Sequence, residues 1–126
     1  MQQANVYAQY KEQSLQTLTR GEVVVKLFEE ASKQVSMAIF AISGSNMGQS
    51  FNCIYKAQRI IAALRASLDD KYPISKELDE LYLFIYEKLG EANEKKDISL
   101  LKDLLGMIDD FKVTFRQADK ITRTGR

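Results

Sequence analysis

Apolar residues recur three and four positions apart in four successive stretches of this chain. That spacing restricts it to helices that each bury one face. In the first stretch the set is Val24, Leu27, Phe28, Ala31, Val35, Ala38, Ile39 and Ile42. The second carries Phe51, Ile54, Ala57, Ile61, Leu64 and Leu68, and the third Leu78, Leu81, Tyr82, Ile85, Leu89 and Ala92. The fourth carries Leu101, Leu104, Ile108, Phe111, Phe115 and Ala118. No stretch sustains an alternation of apolar and polar residues, and no Asn-Gly or Asp-Gly pair marks a hairpin, so strands are not expected.

The residues between the stripes supply starts and stops. Thr19-Arg20-Gly21-Glu22 reads as a capping box, a hydroxyl at the N-cap and a carboxylate three residues on. Ser43-Gly44-Ser45-Asn46 breaks the first helix. The second runs from Met47 to about Leu68 and ends before Pro73, because a proline disfavours helix in the residue preceding it. Ser75 is the expected N-cap of the third helix, and Asp97 that of the fourth. Helices of about 22 residues are ~33 Å long, and short connections between them favour antiparallel neighbours. The expected fold is all-α, an antiparallel up-down four-helix bundle in one domain, with an arm over 1–18, the bundle over 19–119 and a fraying tail over 120–126. The arm holds isolated apolar residues, among them Tyr7, Tyr10 and Leu15, and reads as semi-ordered or as a short extra helix.

Composition narrows what such a bundle does. At 126 residues and 45% hydrophobic, the chain is large enough to bury a core. Eighteen basic and 17 acidic residues leave a net charge of +1, without the basic excess of a nucleic-acid binder. The longest candidate membrane stretch, Val35 to Ile42, falls far short of the ~20 apolar residues a spanning helix needs. The first residues lack the basic-then-apolar pattern of a secretory signal. The single cysteine, Cys53, allows no internal disulfide and fits a reducing compartment. A cytoplasmic protein that neither inserts in membranes nor binds nucleic acid is expected.

The chemistry of catalysis is also missing. There is no histidine, which removes the commonest general base and transition-metal ligand and the Glu-x-x-His pairs of a di-iron bundle. One cysteine cannot build a zinc site, and no glycine-rich phosphate cradle is present. The acid pairs Glu29-Glu30, Asp69-Asp70 and Asp109-Asp110 are sequence neighbours. They point about 100° apart on a helix and read as solvated surface. Neither enzyme activity, nor a metal, nor a cofactor is expected.

What the chain has in excess is apolar surface. Leu81-Tyr82-Leu83-Phe84-Ile85-Tyr86 is six apolar or aromatic residues in succession, which covers every direction around a helix. Such a turn must be covered on all sides or leave a patch for a partner. The arm, a partner's amphipathic helix, a thicker core or a homodimer seam would each cover it. The seam would make the chain a self-associating structural or adaptor bundle.

Several segments, taken in order, resemble the flagellar secretion chaperones of the FliS type. Asn5-Val6-Tyr7-Ala8-Gln9-Tyr10 is similar to the family's N-terminal tyrosine motif, and Leu27-Phe28-Glu29-Glu30-Ala31 to its Leu-Tyr-Asp-Gly-Ala region. Lys56-Ala57-Gln58-Arg59-Ile60-Ile61 through Leu64 resembles a Lys-Ala-Gln-x-Ile-Ile stretch. Leu81-Tyr82 through Leu89, then Ala92-Asn93 and Asp97, follow its Leu-Tyr and Ala-Asn-x-x-x-Asp signature. Departures are Arg20 for a proline, Glu29-Glu30 for an acid-glycine pair, and Phe115 for a tryptophan. The resemblance implies a cytosolic chaperone that binds the disordered C-terminal segment of flagellin, prevents premature polymerisation and delivers it for type III export. It also admits other flagellar export or regulatory proteins as partners. It places the contacts on Tyr7, Tyr10 and Leu15 of the arm, on Ile54, Ala57, Gln58, Ile61 and Leu64 of the second helix, and on Tyr82, Ile85, Tyr86 and Leu89 of the third. The Gln58 amide is expected to pair with partner backbone.

Overall fold

Four helices form where the stripes lie: α1 (Arg20–Ser43), α2 (Met47–Ala66), α3 (Ile74–Lys95) and α4 (Ile98–Thr124). A computed structural model of the chain describes residues 20–124, with side chains over 21–121. Tyr7, Tyr10 and Leu15, and the Thr19 hydroxyl of the expected capping box, lie outside the described residues.

The turns close by backbone geometry. Ser45 takes the left-handed conformation at φ 62°. This lets the Asn46 N–H reach the Ala41 carbonyl at 2.7 Å and the Ser45 N–H reach Ile42 at 3.0 Å, the double closure of a Schellman end. The neighbouring Gly44 is not the residue at positive φ. Asn46 then starts α2 by accepting from the Gln49 N–H at 3.1 Å. The α3–α4 connection repeats the device in two residues. Lys96 is left-handed at φ 53°, Asp97 donates back to Ala92, and its carboxylate caps α4 through the Leu100 N–H at 3.0 Å.

Two boundaries differ from the sequence reading. Ser75 is not a cap: α3 already begins at Ile74 behind Pro73, with no side-chain capping bond, and Ser75 is buried within the first turn. The fixed φ of proline suits that position without a cap. The last helix is also longer than the stripe that ends at Ala118: α4 continues to Thr124. Its C-terminal part packs closely on the start of α1: a methyl at Gly21 would come 2.6 Å from the Asp119 Oδ1. Arg116 also ties α4 to α1 by donating to Glu29 at 2.7 Å.

The helices form an up-down bundle in which α1 packs on both α2 and α4, α3 packs on α2, and α3 meets α4 more sparsely. The core runs through the predicted faces: Phe28, Ala31, Val35 and Ala38 meet Ile54, Ala57, Ile61, Leu64, Tyr82, Ile85, Leu89, Leu101, Leu104 and Ile108, all buried. Three stripe residues turn outward. Phe51 and Leu81 are exposed, as is Ala118. At the start of α2, where the turn brings the chain close to α1, the small Ser50 takes the buried place instead. Where α3 and α4 lie apart, large rings occupy the space. Phe28 stacks on Phe111 and on Phe115, each at 5.5 Å between centroids, and Tyr82 meets Phe111 edge-on at 5.6 Å.

Burial pushes the Tyr82 phenol up to about 12. Unfolded, it ionises near the ordinary value of about 10; folded, it keeps its proton to about 12. Between those values the unfolded state binds fewer protons, so this contribution is intact below pH ~10 and falls by about 1.4 kcal/mol per unit as pH rises toward 12. Denaturant midpoints from pH 8 to pH 11.5 should therefore drop less steeply for Tyr82→Phe than for the parent. Parallel curves would rule out Tyr82 as a source of alkaline instability.

Candidate functional site

The seam between α2 and α3 has two sides, one residue apart around each helix. Ile54, Ala57, Ile61 and Leu64 of α2 and Tyr82, Ile85 and Leu89 of α3 form the inner side, and all seven are buried. Of the side chains expected to face a partner from these helices, only Gln58 and Tyr86 reach the surface. The seven make the bed from beneath, and the face open to solvent is formed by the next stripe round. On α2 that stripe is Phe51, Tyr55, Gln58, Ala62 and Arg65. On α3 it is Asp79, Leu83, Tyr86 and Gly90, with the buried Asn93 at its end. Phe51 is 53% exposed, Tyr55 51% and Tyr86 39%.

Three polar straps hold this outer face at fixed width. The Asn93 Nδ2 donates to the Phe51 carbonyl at 3.3 Å. The Gln58 Nε2 donates to the Tyr86 carbonyl at 3.1 Å. The Arg65 guanidinium donates to both Asp79 oxygens, at 2.7 and 3.4 Å. Each step along α2 is seven residues, matched by seven residues back along α3, which is the repeat expected of two antiparallel helices in steady register. Small residues keep the straps short: a methyl at Gly90 would come 3.1 Å from the Gln58 Nε2. Gln58, expected to meet partner backbone, spends one of its two amide N–H donors on the α3 backbone. Asn93, near the end of α3, crosses to α2, while its Oδ1 accepts from Lys96 at 2.9 Å; Lys96 itself is the C-cap.

Between the straps lies a cleft of about 510 Å³ lined by Ile61, Ala62, Arg65, Ala66, Asp79, Leu83 and Tyr86. Beyond the Arg65–Asp79 pair a second depression of about 540 Å³ continues past Leu68, Asp70, Ser75 and Lys76. The ion pair therefore stands between the two as a shared wall. Asp79, through its hydrogen bonds and then its charge, holds the Arg65 guanidinium more firmly protonated than usual. Apart from the Arg65–Asp79 pair, whose two members bind each other, the walls of the first cleft are aliphatic and aromatic. An apolar surface with satisfied polar edges suits a side-chain stripe of a partner.

Other features carry less. No group of three or more Cys, Asp or Glu among the described residues is placed to hold a metal ion, and Cys53 is buried. No helix among the described residues is long and apolar enough to cross a membrane.

Known proteins resemble this chain along most of its length. The family model described as "Flagellar protein FliS" matches residues 3–122. The flagellar secretion chaperone FliS of Bacillus subtilis (strain 168) is 30% identical over 122 residues, covering 97% of this chain and 92% of that protein. A protein of the same description from Vibrio cholerae serotype O1 is 30% identical over 98 residues, covering 76% of this chain and 72% of that one.

Proposed function

The chain belongs to the FliS family of flagellar proteins, and from that premise we propose that it is a cytosolic export chaperone for flagellin. The family is one of secretion chaperones and not of enzymes, so the chaperone role in flagellar export follows from membership. The finer reading is that the bundle receives the disordered C-terminal segment of flagellin, which folds as a helix against it. Held in this way, the segment cannot polymerise before it is delivered for type III export.

The observation that carries this reading is the outer α2–α3 groove: half-exposed aromatic residues on a bed fixed by three straps. A disordered segment must offset its own ordering on binding. A preformed apolar groove supplies that without reorganising the receptor. The arm residues Tyr7, Tyr10 and Leu15 fit the same reading as a competing internal occupant, which lowers apparent affinity while shielding the groove.

The test mixes the full chain with the C-terminal fragment of flagellin from the same genome. Calorimetry should show a 1:1 complex, and circular dichroism a gain of helix beyond the two separate components. Absence of binding heat and of added helicity would remove flagellin as the client. A tight homodimer that buries the groove residues would point instead to a self-associating bundle.

A further inference from the structure

The two rims of the α2–α3 groove carry unlike charge. On α3 the residues that follow Asp79, Tyr86 and Asn93 by one position are Glu80, Glu87 and Glu94. All three are exposed, and none of them is in an ion pair among the described residues. Two of the three lysines of the same helix are engaged elsewhere: Lys88 and Lys95 both bind Glu91, at 3.1 and 3.3 Å, and hold its carboxyl below the usual range. The third, Lys76, lies at the start of the helix beside the second depression. On α2 the equivalent positions are Asn52, Arg59 and Ala66, and that helix contains no acidic residue at all. Arg59 rests over the Tyr55 ring at 6.0 Å. The groove thus has an acidic rim with a seven-residue repeat on one side, of which Glu87 also acts at longer range on Arg65, and a neutral-to-basic rim on the other.

We infer that the groove takes an amphipathic helix of about four turns, the ~22 Å from Phe51 to Ala66, that is basic on one flank only. Its apolar stripe lies between Tyr55, Ala62, Leu83 and Tyr86. Lysine or arginine side chains seven residues apart face Glu80, Glu87 and Glu94, and the flank facing α2 is neutral or acidic. Seven residues of helix span ~10.5 Å, so the partner's cations and the three carboxylates repeat at the same interval. Reversing the flanks would set like charges against both rims, which disfavours the wrong partner and the wrong rotational setting of the right one. Because the rims are exposed, the preference is strongest at low salt and is screened as ionic strength rises.

This inference rests on the groove being the receiving surface, and the test separates the two. Two synthetic helical peptides share one apolar stripe; one carries lysines on the α3 flank, the other glutamates at the same positions. Each is titrated into the full chain by fluorescence anisotropy, in about 20 mM and about 500 mM salt. The basic-flanked peptide should bind at least about fivefold tighter in low salt, with the gap closing to less than about twofold in high salt. The triple variant Glu80→Gln, Glu87→Gln, Glu94→Gln should lose the gap while keeping its circular dichroism. Glu91→Gln, whose carboxylate is already paired, should keep the gap. Equal binding of both peptides, or tighter binding of the acidic one, overturns the charge assignment alone. Binding of neither, with flagellin binding intact, overturns the groove reading and this inference with it. A second copy of the chain in the groove, seen by sedimentation and not displaced by the basic peptide, does the same.

Discussion

Replacing Phe28 with alanine should destabilise the bundle by about 3–5 kcal/mol, the range for truncating a fully buried phenylalanine. Phe28 has no exposed surface, and its ring touches Tyr82 of α3 and both Phe111 and Phe115 of α4. The truncation therefore opens a cavity among three helices. The α3–α4 seam is the sparsest in the bundle, so no dense backbone packing stands ready to collapse into the gap. Phe115→Ala should lose clearly less, because Phe115 is half-buried and solvent can reach its place. Urea unfolding followed by circular dichroism measures both. A Phe28→Ala loss below about 1 kcal/mol, or a Phe115→Ala loss equal to it, would show that this cluster does not hold the diverging helices together.

That cluster also shows how far the sequence could be read. The three- and four-residue spacing places Phe28, Tyr82, Phe111 and Phe115 on inner faces, and they are there. The same rule assigns Phe51 and Leu81 inward, yet both are exposed. Helical spacing fixes a face only to within about one residue, or 100°; which edge of the face is covered depends on how neighbouring helices sit. The Asp97 cap was legible because a carboxylate capping the next helix is a local device. The Ser45 and Lys96 conformations were not, since neither residue announces positive φ as glycine would.

The candidate site illustrates the same limit more sharply. Ile61 and Ala62 are adjacent and both line the cleft, but Ile61 is a fully buried core residue while Ala62 is open to solvent. Sequence and family resemblance pointed to the second and third helices through Ile54, Ala57, Ile61, Leu64, Tyr82, Ile85 and Leu89, residues that line the inner side of the seam. The outer stripe mixes Gln58, Arg65, Asp79, Gly90 and Asn93 with its aromatics, and reads as surface until the register is known. Only the pairing of Phe51 with Asn93, Gln58 with Tyr86 and Arg65 with Asp79 reveals that those polar residues are straps across a groove.

The adjacent alanines of α2 give the most direct test of the groove. Ala62 and Ala63 are both exposed, and only Ala62 lines the 510 Å³ cleft. Ala62→Trp places an indole between Leu83 and Tyr86, where a partner's apolar stripe would lie. Ala63→Trp places the same ring about 100° further round. Neither change disturbs the core or a strap, so both variants should unfold within about 0.5 kcal/mol of the parent. Their binding should diverge. Ala62→Trp should weaken the complex with the flagellin C-terminal fragment at least about a hundredfold, roughly 2.7 kcal/mol, because the plug must be displaced before the segment can seat. Ala63→Trp should bind as the parent does. Equal affinities for the two variants would move the receiving surface off the α2–α3 seam, and equal losses would point to the exposed back of α2. A loss confined to Ala62→Trp, in two proteins of equal stability, fixes the contact to one side of a single helix, since composition, fold and the added ring are the same in both.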